Sequence, residues 1–252
     1  MDGIHDKDDQ QPRLRDRVAG QPSIPCRKSP SQMKLPTFLR RRRHLLLSLT
    51  LAAAAVPLAL AVVESRAQPV DGTQTLVFLR HAEKPGEGLG QLNCQGLNRA
   101  LDLATLLPER FGKADYVFAA NPSRGVEEGS QDERYSYIRP LMTISPSAIR
   151  LGLPVNIDYG ANDTDDLADE LLSSKYRNAT VYTAWSRGYL PELINTVAGK
   201  ALGEERVLTE DWHRDDFDTL YVLTLTWRDG KATLLSRNLR QGLDHGEPGC
   251  PT

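Results

Sequence analysis

The alternation of apolar and polar positions predicts a series of strands and helices from about residue 70 onwards. Residues 75–79 are apolar or β-branched and carry no charge, which indicates a central parallel strand. Apolar side chains recur three and four positions apart over residues 93–107, which predicts an amphipathic helix with Asn93 as its N-cap. The same reasoning predicts strands at 116–120, 154–157, 179–185, 219–227 and 231–236, and helices that begin near residues 139, 163 and 190.

Strands that alternate with helices predict an α/β fold, a three-layer sandwich in which helices cover both faces of a mostly parallel central sheet. Asp229-Gly230 separates the last two strands and is a strong signal for a tight hairpin. The C-terminal edge of the sheet should therefore be antiparallel. Residues 121–134 are polar and contain two glycines, and we expect them to form a surface loop.

The first 67 residues have the composition of a targeting segment. Four arginines at positions 40–43 precede residues 45–63, a run of 19 residues without a charge, and small side chains follow at Ser65 and Ala67. Basic, apolar and then small is the order of a secretory signal peptide. The alternative is an uncleaved membrane anchor, because 19 residues can just span a bilayer.

These features divide the chain into three predicted segments. Residues 1–32 are polar with several prolines, and we interpret them as disordered or as a spurious extension, with translation starting at Met33 rather than Met1. Residues 33–67 form the signal peptide. Residues 68–252 form one domain, which we expect to be periplasmic or secreted.

Charge and cysteine content restrict the functions of this domain. Residues 68–252 hold 19 Lys and Arg against 27 Asp and Glu, and duplex affinity depends on neutralising phosphates, so nucleic acid is not an expected partner. Cys94 and Cys250 remain after cleavage, and in an oxidising compartment we expect them to form a disulfide. The sequence has no CxxC pair and no His/Cys cluster, so neither a metal nor a cofactor is predicted.

A candidate site lies where the first predicted strand ends, in the sequence LRHAEKP at 79–85. Open α/β sheets bind their ligands at the carboxyl ends of strands. Arg80 can hold two phosphate oxygens at once and stays charged. His81 can attack phosphorus when it is neutral, provided that a carbonyl holds its other ring nitrogen. On these residues alone, a solvated loop with an ordinary histidine explains the pattern equally well.

The motifs around this site resemble those of the histidine phosphatase superfamily, the phosphoglycerate-mutase-like proteins. RHAEK at 80–84 resembles the opening motif of a branch found in many exported bacterial members. LNCQGLNRA at 92–100 is similar to the first helix of the family. The resemblance covers about residues 74–240, and it implies the α/β fold predicted above.

Two later segments extend the resemblance. RPLMT at 139–143, followed by Pro146 and by LGLP at 151–154, resembles the part of the family that carries a second phosphate-binding arginine. Trp185 and YLP at 189–191 resemble the block that carries a second histidine.

The resemblance implies a role for each matching residue. His81 would be the nucleophile that forms a phosphohistidine, and Arg80 and Arg139 would hold the phosphoryl oxygens. Arg134 is the alternative to Arg139. Further candidates for contact with the substrate are Glu83, Lys84 and Thr143. The proton donor stays unassigned, with Glu83, Asp163, Asp165 and Asp166 as the carboxylates that could approach.

Arg187 departs from the family's pattern, which usually has a histidine two residues after the Trp. An arginine can still donate hydrogen bonds to a phosphoryl group, but it cannot exchange a proton near neutral pH. His213 and His245 are the other histidines of residues 68–252, and we expect both to be exposed to solvent.

Two functions fit these residues. The first is an exported phosphatase that hydrolyses a phosphate monoester through a phosphohistidine on His81. The alternative is a catalytically impaired relative that binds phosphorylated ligands without turning them over, because of Arg187. The partner in both cases is a phosphorylated small molecule or a surface-bound phosphate ester. A phosphomutase fits less well, because mutases need substrate-specific insertions for which this chain has little room.

Overall fold

The structure is a computed structural model, and it describes residues 70–123, 125–128, 133–203, 207–208, 211–244, 246 and 248–251. The predicted extension and signal peptide, which end at residue 67, lie outside the described residues, as does His245. Within the described part of the chain, no helix is long and apolar enough to cross a membrane.

A six-stranded mixed sheet forms the centre of the domain. Its strands are β1 (Gly72–Arg80), β2 (Tyr116–Ala119), β5 (Val155–Asn156), β6 (Thr180–Trp185), β7 (Thr219–Arg228) and β8 (Lys231–Arg240), in the order β5-β2-β6-β1-β7-β8. Strands β5, β2, β6 and β1 are mutually parallel, whereas β7 runs antiparallel to both β1 and β8. The predicted antiparallel C-terminal edge is confirmed.

Helices cover both faces of this sheet. They are α1 (Cys94–Phe111), α2 (Arg139–Leu151), α3 (Thr164–Leu172) and α4 (Leu190–Leu202), with a 3-10 turn at Ser174–Tyr176. Leu76 and Phe78 of β1 pack in one core with residues of α3 and α4, and Val77 and Leu79 pack in the other core with residues of α1 and α2. Alternate side chains of a strand point to opposite faces, so a strand buried on both sides is apolar throughout. The predicted three-layer sandwich is confirmed.

The predicted helix boundaries hold at their beginnings. Asn93 caps α1, because its side-chain oxygen accepts a hydrogen bond of 2.8 Å from the amide of Gly96. The helix runs four residues past the predicted end at residue 107 and includes Pro108 in its last turn. Helix α2 starts at Arg139, as predicted, and contains Pro146.

The turns follow the expected chemistry, with one correction. Asp229 and Gly230 both have positive φ, at 50° and 77°, as a two-residue hairpin of this type requires. The loop expected at residues 121–134 instead contains a second, two-stranded sheet of β3 (Gly125–Glu128) and β4 (Glu133–Ser136). Most of the described residues of this small sheet are exposed, so polar side chains are tolerated on both of its faces. Its sequence therefore lacks the alternation of apolar and polar residues from which a strand is predicted.

Candidate active site

One cavity of about 940 Å³ opens where four parts of the fold meet. These are the ends of β1 and β6, the start of α2 and the loop at residues 211–217 that leads into β7. The charged residues that line the cavity are Arg80, Lys84, Arg139, Arg187, Arg214 and Asp215, and His81 lies among them. The site therefore lies at the carboxyl ends of the parallel strands, as the sequence predicts.

His81 is held in one tautomer at this cavity. The amide of His81 donates to the carbonyl of Trp185 at 3.1 Å, which continues the pairing between β1 and β6. Its ring Nδ1 lies 2.7 Å from the carbonyl oxygen of Ala82. A carbonyl can only accept, so Nδ1 carries the proton and the lone pair is on Nε2. This is the arrangement that a nucleophilic imidazole needs.

The surroundings of His81 keep the ring neutral. Its exposed fraction is 4%. Burial is the main cause that lowers the pKa of His81 to about 3, and nearby Arg139, Arg80 and Lys84 lower it further, against the raising effect of the hydrogen bond to Ala82. The ring is thus unprotonated and able to attack over the whole neutral range.

Arg80 is buried beside His81 and is only partly satisfied. One guanidinium nitrogen donates to the carbonyls of Arg214 and Asp216, at 2.6 and 3.0 Å, and the guanidinium carbon lies 3.8 Å from the centre of the Phe217 ring. Burial and then repulsion by Arg187 lower the pKa of Arg80 to about 10. Its buried Nε has no hydrogen-bond partner among the described residues. A phosphoryl oxygen would supply the missing acceptor.

Arg139 approaches the cavity from the first turn of α2. It is also buried, and its guanidinium carbon lies 4.6 Å from the centre of the Tyr137 ring. Burial raises the pKa of Tyr137, whose hydrogen-bond partners are Ser186 and Arg139. The alternative candidate, Arg134, instead lies on the exposed strand β4 and faces Glu127 of β3. The structure therefore brings Arg139 to His81, and not Arg134.

Arg187 follows β6 and lines the same cavity. It is exposed, and its guanidinium donates to the carbonyl of Trp212 at 3.3 Å. Trp185, two residues earlier, is fully buried, and its indole nitrogen donates to the carbonyl of Ala161. Arg187, two residues after this Trp, therefore lies at the same cavity as Arg80 and His81.

Glu83 and Thr143, which were expected to contact the substrate, instead bind other parts of the protein. The carboxylate of Glu83 is buried against Arg99 of α1, with three hydrogen bonds of 2.6 to 3.0 Å, and it does not line the cavity. Thr143 is fully buried, and its hydroxyl accepts from the amide of Ala82 and donates to the carbonyl of Arg139. Both side chains fix the loop after β1 because this loop is packed between α1 and α2. Lys84 does line the cavity.

The acids named from the sequence are also engaged elsewhere. Asp163 accepts from the amide of Gly160, Asp165 pairs with Lys200, and neither of them nor Asp166 lines the cavity. Among the described residues that line it, Asp215 is the only carboxylate. His213 is exposed, as predicted, and its Nδ1 accepts from the amide of Asp215 at 3.3 Å.

Sequence reasoning missed Arg214, Asp215 and Phe217, which the loop at residues 211–217 brings to the cavity. These residues have no periodicity and match no motif, so no local signal marks them. The structure recruits them because buried Arg80 binds two carbonyls of this loop. Within this loop the sequence singles out His213 alone, as an exposed histidine.

The predicted disulfide is present, with the Cα atoms of Cys94 and Cys250 4.4 Å apart. It joins the start of α1 to the C-terminal tail. In the same region Arg99 also binds Asp218, Gln241 and Asp244. The tail is therefore attached to the helix that holds Glu83 and the loop after His81.

Comparison with known proteins finds likeness in structure rather than in sequence. No protein-family model and no curated protein matches the chain. A putative phosphohistidine phosphatase SixA from Nakamurella multipartitia is 16% identical, with 67% of this chain and 97% of that chain covered and a TM-score of 0.42. A mycobacterial glucosyl-3-phosphoglycerate phosphatase with inorganic phosphate is 15% identical, with 67% and 98% covered and a TM-score of 0.43. A phosphoserine phosphatase mutant from Entamoeba histolytica, in complex with phosphoserine, is 13% identical, with 68% and 98% covered and a TM-score of 0.40.

Proposed function

We propose that the domain is a phosphatase of the histidine phosphatase type, which hydrolyses a phosphate monoester through a phosphohistidine on His81. The observation that carries the proposal is the hydrogen bond from Nδ1 of His81 to Ala82, which leaves the lone pair on Nε2 of a neutral, buried ring beside Arg80 and Arg139. Neutral imidazole next to buried arginines is the pairing of nucleophile and anion site that phosphoryl transfer needs.

The first chemical step follows from this arrangement. Nε2 attacks phosphorus, the bond from phosphorus to the ester oxygen breaks, and the leaving alkoxide takes a proton. The imidazole then carries a positive charge, which the hydrogen bond from Nδ1 to Ala82 stabilises. Arg80, Arg139 and Arg187 offset the charge on the phosphoryl oxygens in the transition state.

We assign Asp215 as the acid that donates a proton to the leaving group, because it is the one carboxylate among the described residues that line the cavity. In the second step water attacks phosphorus, the bond between phosphorus and nitrogen breaks, and inorganic phosphate leaves. The carboxylate formed in the first step takes the proton of this water. Neutral His81 and protonated Asp215 are restored, so one ester and one water give one alcohol and one phosphate.

A second function has one observation in its favour. Arg187 stands where the family's motif has a histidine, and its guanidinium donates to the Trp212 carbonyl. An arginine at this place can bind phosphate, but it cannot exchange a proton near neutral pH. In this function the domain binds phosphorylated ligands, and His81 never forms a covalent bond.

One assay separates the two functions. The protein, produced from its full sequence, is tested on an aryl phosphate together with His81→Ala and Arg187→His. The phosphatase function expects many turnovers by wild type and none above background for His81→Ala, with little gain from Arg187→His. The binding function expects wild type to match His81→Ala, and Arg187→His to gain about 10²–10³-fold. Stabilisation of each variant by phosphate against heat is the control for folding and binding.

We further propose that the protein is exported, with cleavage after Ala67. The disulfide between Cys94 and Cys250 supports this, because such bonds persist in oxidising compartments. The mass and N-terminal sequence of the protein recovered outside the cytoplasm test it. We expect a mature N-terminus at Gln68. A recovered protein whose N-terminus is residue 1 or residue 33 would contradict cleavage.

A further inference from the structure

The carbonyl that fixes the tautomer of His81 belongs to the peptide between Ala82 and Glu83. Nδ1 of His81 lies 2.7 Å from this oxygen, and both residues of the peptide are buried. A backbone can rotate about the φ and ψ bonds on either side of a peptide plane. The hydrogen bond that one ring nitrogen of a histidine makes determines which nitrogen carries the proton. The lone pair on Nε2 therefore depends on the contacts that hold this one peptide in its orientation.

Thr143 of α2 holds the backbone before this peptide. Its hydroxyl accepts from the amide of Ala82 at 2.9 Å and donates to the carbonyl of Arg139 at 2.9 Å. A hydroxyl has one proton, which the carbonyl of Arg139 takes, so the oxygen is left to accept from the amide. Thr143 and Ala82 are both fully buried, so water cannot supply the amide with another acceptor. The hydroxyl thus joins the residue after His81 to the helix that carries Arg139.

Helix α1 holds the backbone after the peptide. The amide of Asn93 donates to the carbonyl of Glu83 at 3.0 Å. The carboxylate of Glu83 accepts three hydrogen bonds of 2.6 to 3.0 Å from Arg99, which is itself bound to Asp218. The peptide is therefore fixed on both sides, by α2 before it and by α1 after it.

A neighbouring hydroxyl on α2 shows what is particular to Thr143. Ser145 lies two residues further along the helix, and its hydroxyl donates to the carbonyl of Leu141 at 2.6 Å, which is also four residues back. That bond stays within the helix, whereas Thr143 also reaches the backbone beside His81. Loss of either hydroxyl removes a bond inside α2, and loss of the Thr143 hydroxyl also frees the amide of Ala82.

We propose that Thr143 and Glu83 are positioning residues for the nucleophile. They hold the peptide between Ala82 and Glu83 from its two sides, so that its carbonyl keeps the proton of His81 on Nδ1 and the lone pair on Nε2. Neither side chain lines the cavity, so both act through the backbone and not on the phosphoryl group. The inference rests on the proposed function for the role of His81 as nucleophile, but the tautomer can be measured without turnover.

The position of the ring proton tests the inference directly. The protein, produced from its full sequence with 15N-labelled histidine, is compared with variants by NMR at neutral pH, and the spectrum of His81→Ala assigns the ring. The 15N chemical shifts show which ring nitrogen carries the proton. We expect Nδ1 to carry it in wild type, Thr143→Ser and Ser145→Ala, and Nε2 to carry it in a substantial fraction of Thr143→Val.

Glu83→Gln tests the other side of the peptide, and it serves alone if Thr143→Val does not fold. The variant keeps the size of the side chain, but its amide group places a donor against the donors of Arg99. We expect the proton to move to Nε2 here as well. A proton confined to Nδ1 in either folded variant would overturn the proposal.

Turnover and phosphate binding separate positioning from a general loss of structure. Thr143→Val should lower kcat on an aryl phosphate by about 10-fold to 10²-fold, as misplacement of a reacting group does. Inorganic phosphate should bind this variant within about threefold of wild type by calorimetry, because the amide of Arg139 keeps its bond to the carbonyl of Gly90 at 3.2 Å. Thr143→Ser keeps the hydroxyl, and its kcat should lie within about threefold of wild type.

The outcomes distinguish this inference from the proposed function. Equal losses of kcat and phosphate affinity in Thr143→Val, or a kcat of Thr143→Ser as low as that of Thr143→Val, would contradict the positioning role. Turnover by wild type with an unchanged tautomer in Thr143→Val would contradict this inference alone. A tautomer that shifts in Thr143→Val, in a wild-type protein without turnover, would support the hold on the peptide and contradict the phosphatase function alone.

Discussion

Asp215 is the residue whose role separates chemistry from binding most cleanly. In the described part of the chain it is the carboxylate among five cations of the cavity, and its neighbours Arg214 and Asp216 fix the loop through carbonyls that accept from Arg80. Asp215→Asn removes the carboxyl group that donates the proton in the proposed mechanism, but it keeps the shape of the side chain. Loss of a positioned general acid typically costs 10²–10⁴-fold in rate.

The cost for Asp215→Asn should depend on the leaving group. We expect kcat on an alkyl phosphate to fall about 10²-fold or more, because an alkoxide needs the proton. On a nitrophenyl phosphate we expect a much smaller fall, because that anion leaves unaided. Steady-state kcat values on both esters provide the measurement, and Asp216→Asn, whose carboxylate binds the amides of Asp218 and Thr219, is the neighbouring control. Equal losses of kcat on both esters would contradict the proposal that Asp215 donates the proton.

At the residue scale, the sequence predicts the positions of site residues that belong to short local motifs. Arg80 ends β1, His81 and Arg187 follow strands, and Arg139 begins α2, so their positions could be inferred from short segments. Glu83 sits in the same motif, yet it turns to Arg99 of α1, sixteen residues later. Such a pairing depends on how a helix packs, and the side chain alone does not reveal it.

At the scale of elements, the first turn of α1 touches the backbone behind the nucleophile. A Cβ on Gly96 would lie 2.3 Å from the carbonyl oxygen and 2.8 Å from the amide nitrogen of Glu83. The amide of Asn93 also donates to this carbonyl. The helix and the loop after His81 are therefore in direct backbone contact, which only glycine permits at this position.

Gly96→Ala should therefore lower both stability and activity. The helix must move away from Glu83, and overpacking of this kind costs about 1–3 kcal/mol in the free energy of unfolding. The matched control is Gly199→Ala in α4, where no atom lies within 4 Å of an added Cβ. This change should raise the free energy of unfolding by about 0.4–1 kcal/mol. Urea unfolding of both variants measures the difference, and equal shifts would show that α1 does not press on the loop.

Elements with strong patterns were predictable, and those held by other parts of the fold were not. Strand β1 is apolar because it is buried on both faces, so its sequence predicts it. The β3–β4 hairpin is largely exposed, and its polar sequence predicts a loop instead. The 211–217 loop owes its position to Arg80 on β1, 134 residues before Arg214. Contacts between residues so far apart in the sequence cannot be predicted from a local pattern.

At the scale of the whole molecule, the C-terminal tail closes the domain onto α1. Cys94 and Cys250 are 156 residues apart, so the loop that their bond closes contains every described helix and strand except β1. A long covalent loop restricts the unfolded state more than the folded one, and bonds of this kind typically contribute 2–4 kcal/mol. Arg99 adds noncovalent contacts of α1 with Gln241 and Asp244.

Loss of the disulfide should thus lower stability while sparing the cavity, which none of the described residues of the tail lines. We expect Cys94→Ser/Cys250→Ser to lower the free energy of unfolding by about 2–4 kcal/mol, with kcat at low temperature within about twofold of wild type. Unfolding in urea, with and without a reductant, measures this. Reductant should lower the midpoint for wild type and leave the double variant unchanged. If reductant left wild type unchanged, the bond would not stabilise the domain. If kcat fell with stability intact, the tail would act on the loop after His81 through Arg99 and Glu83.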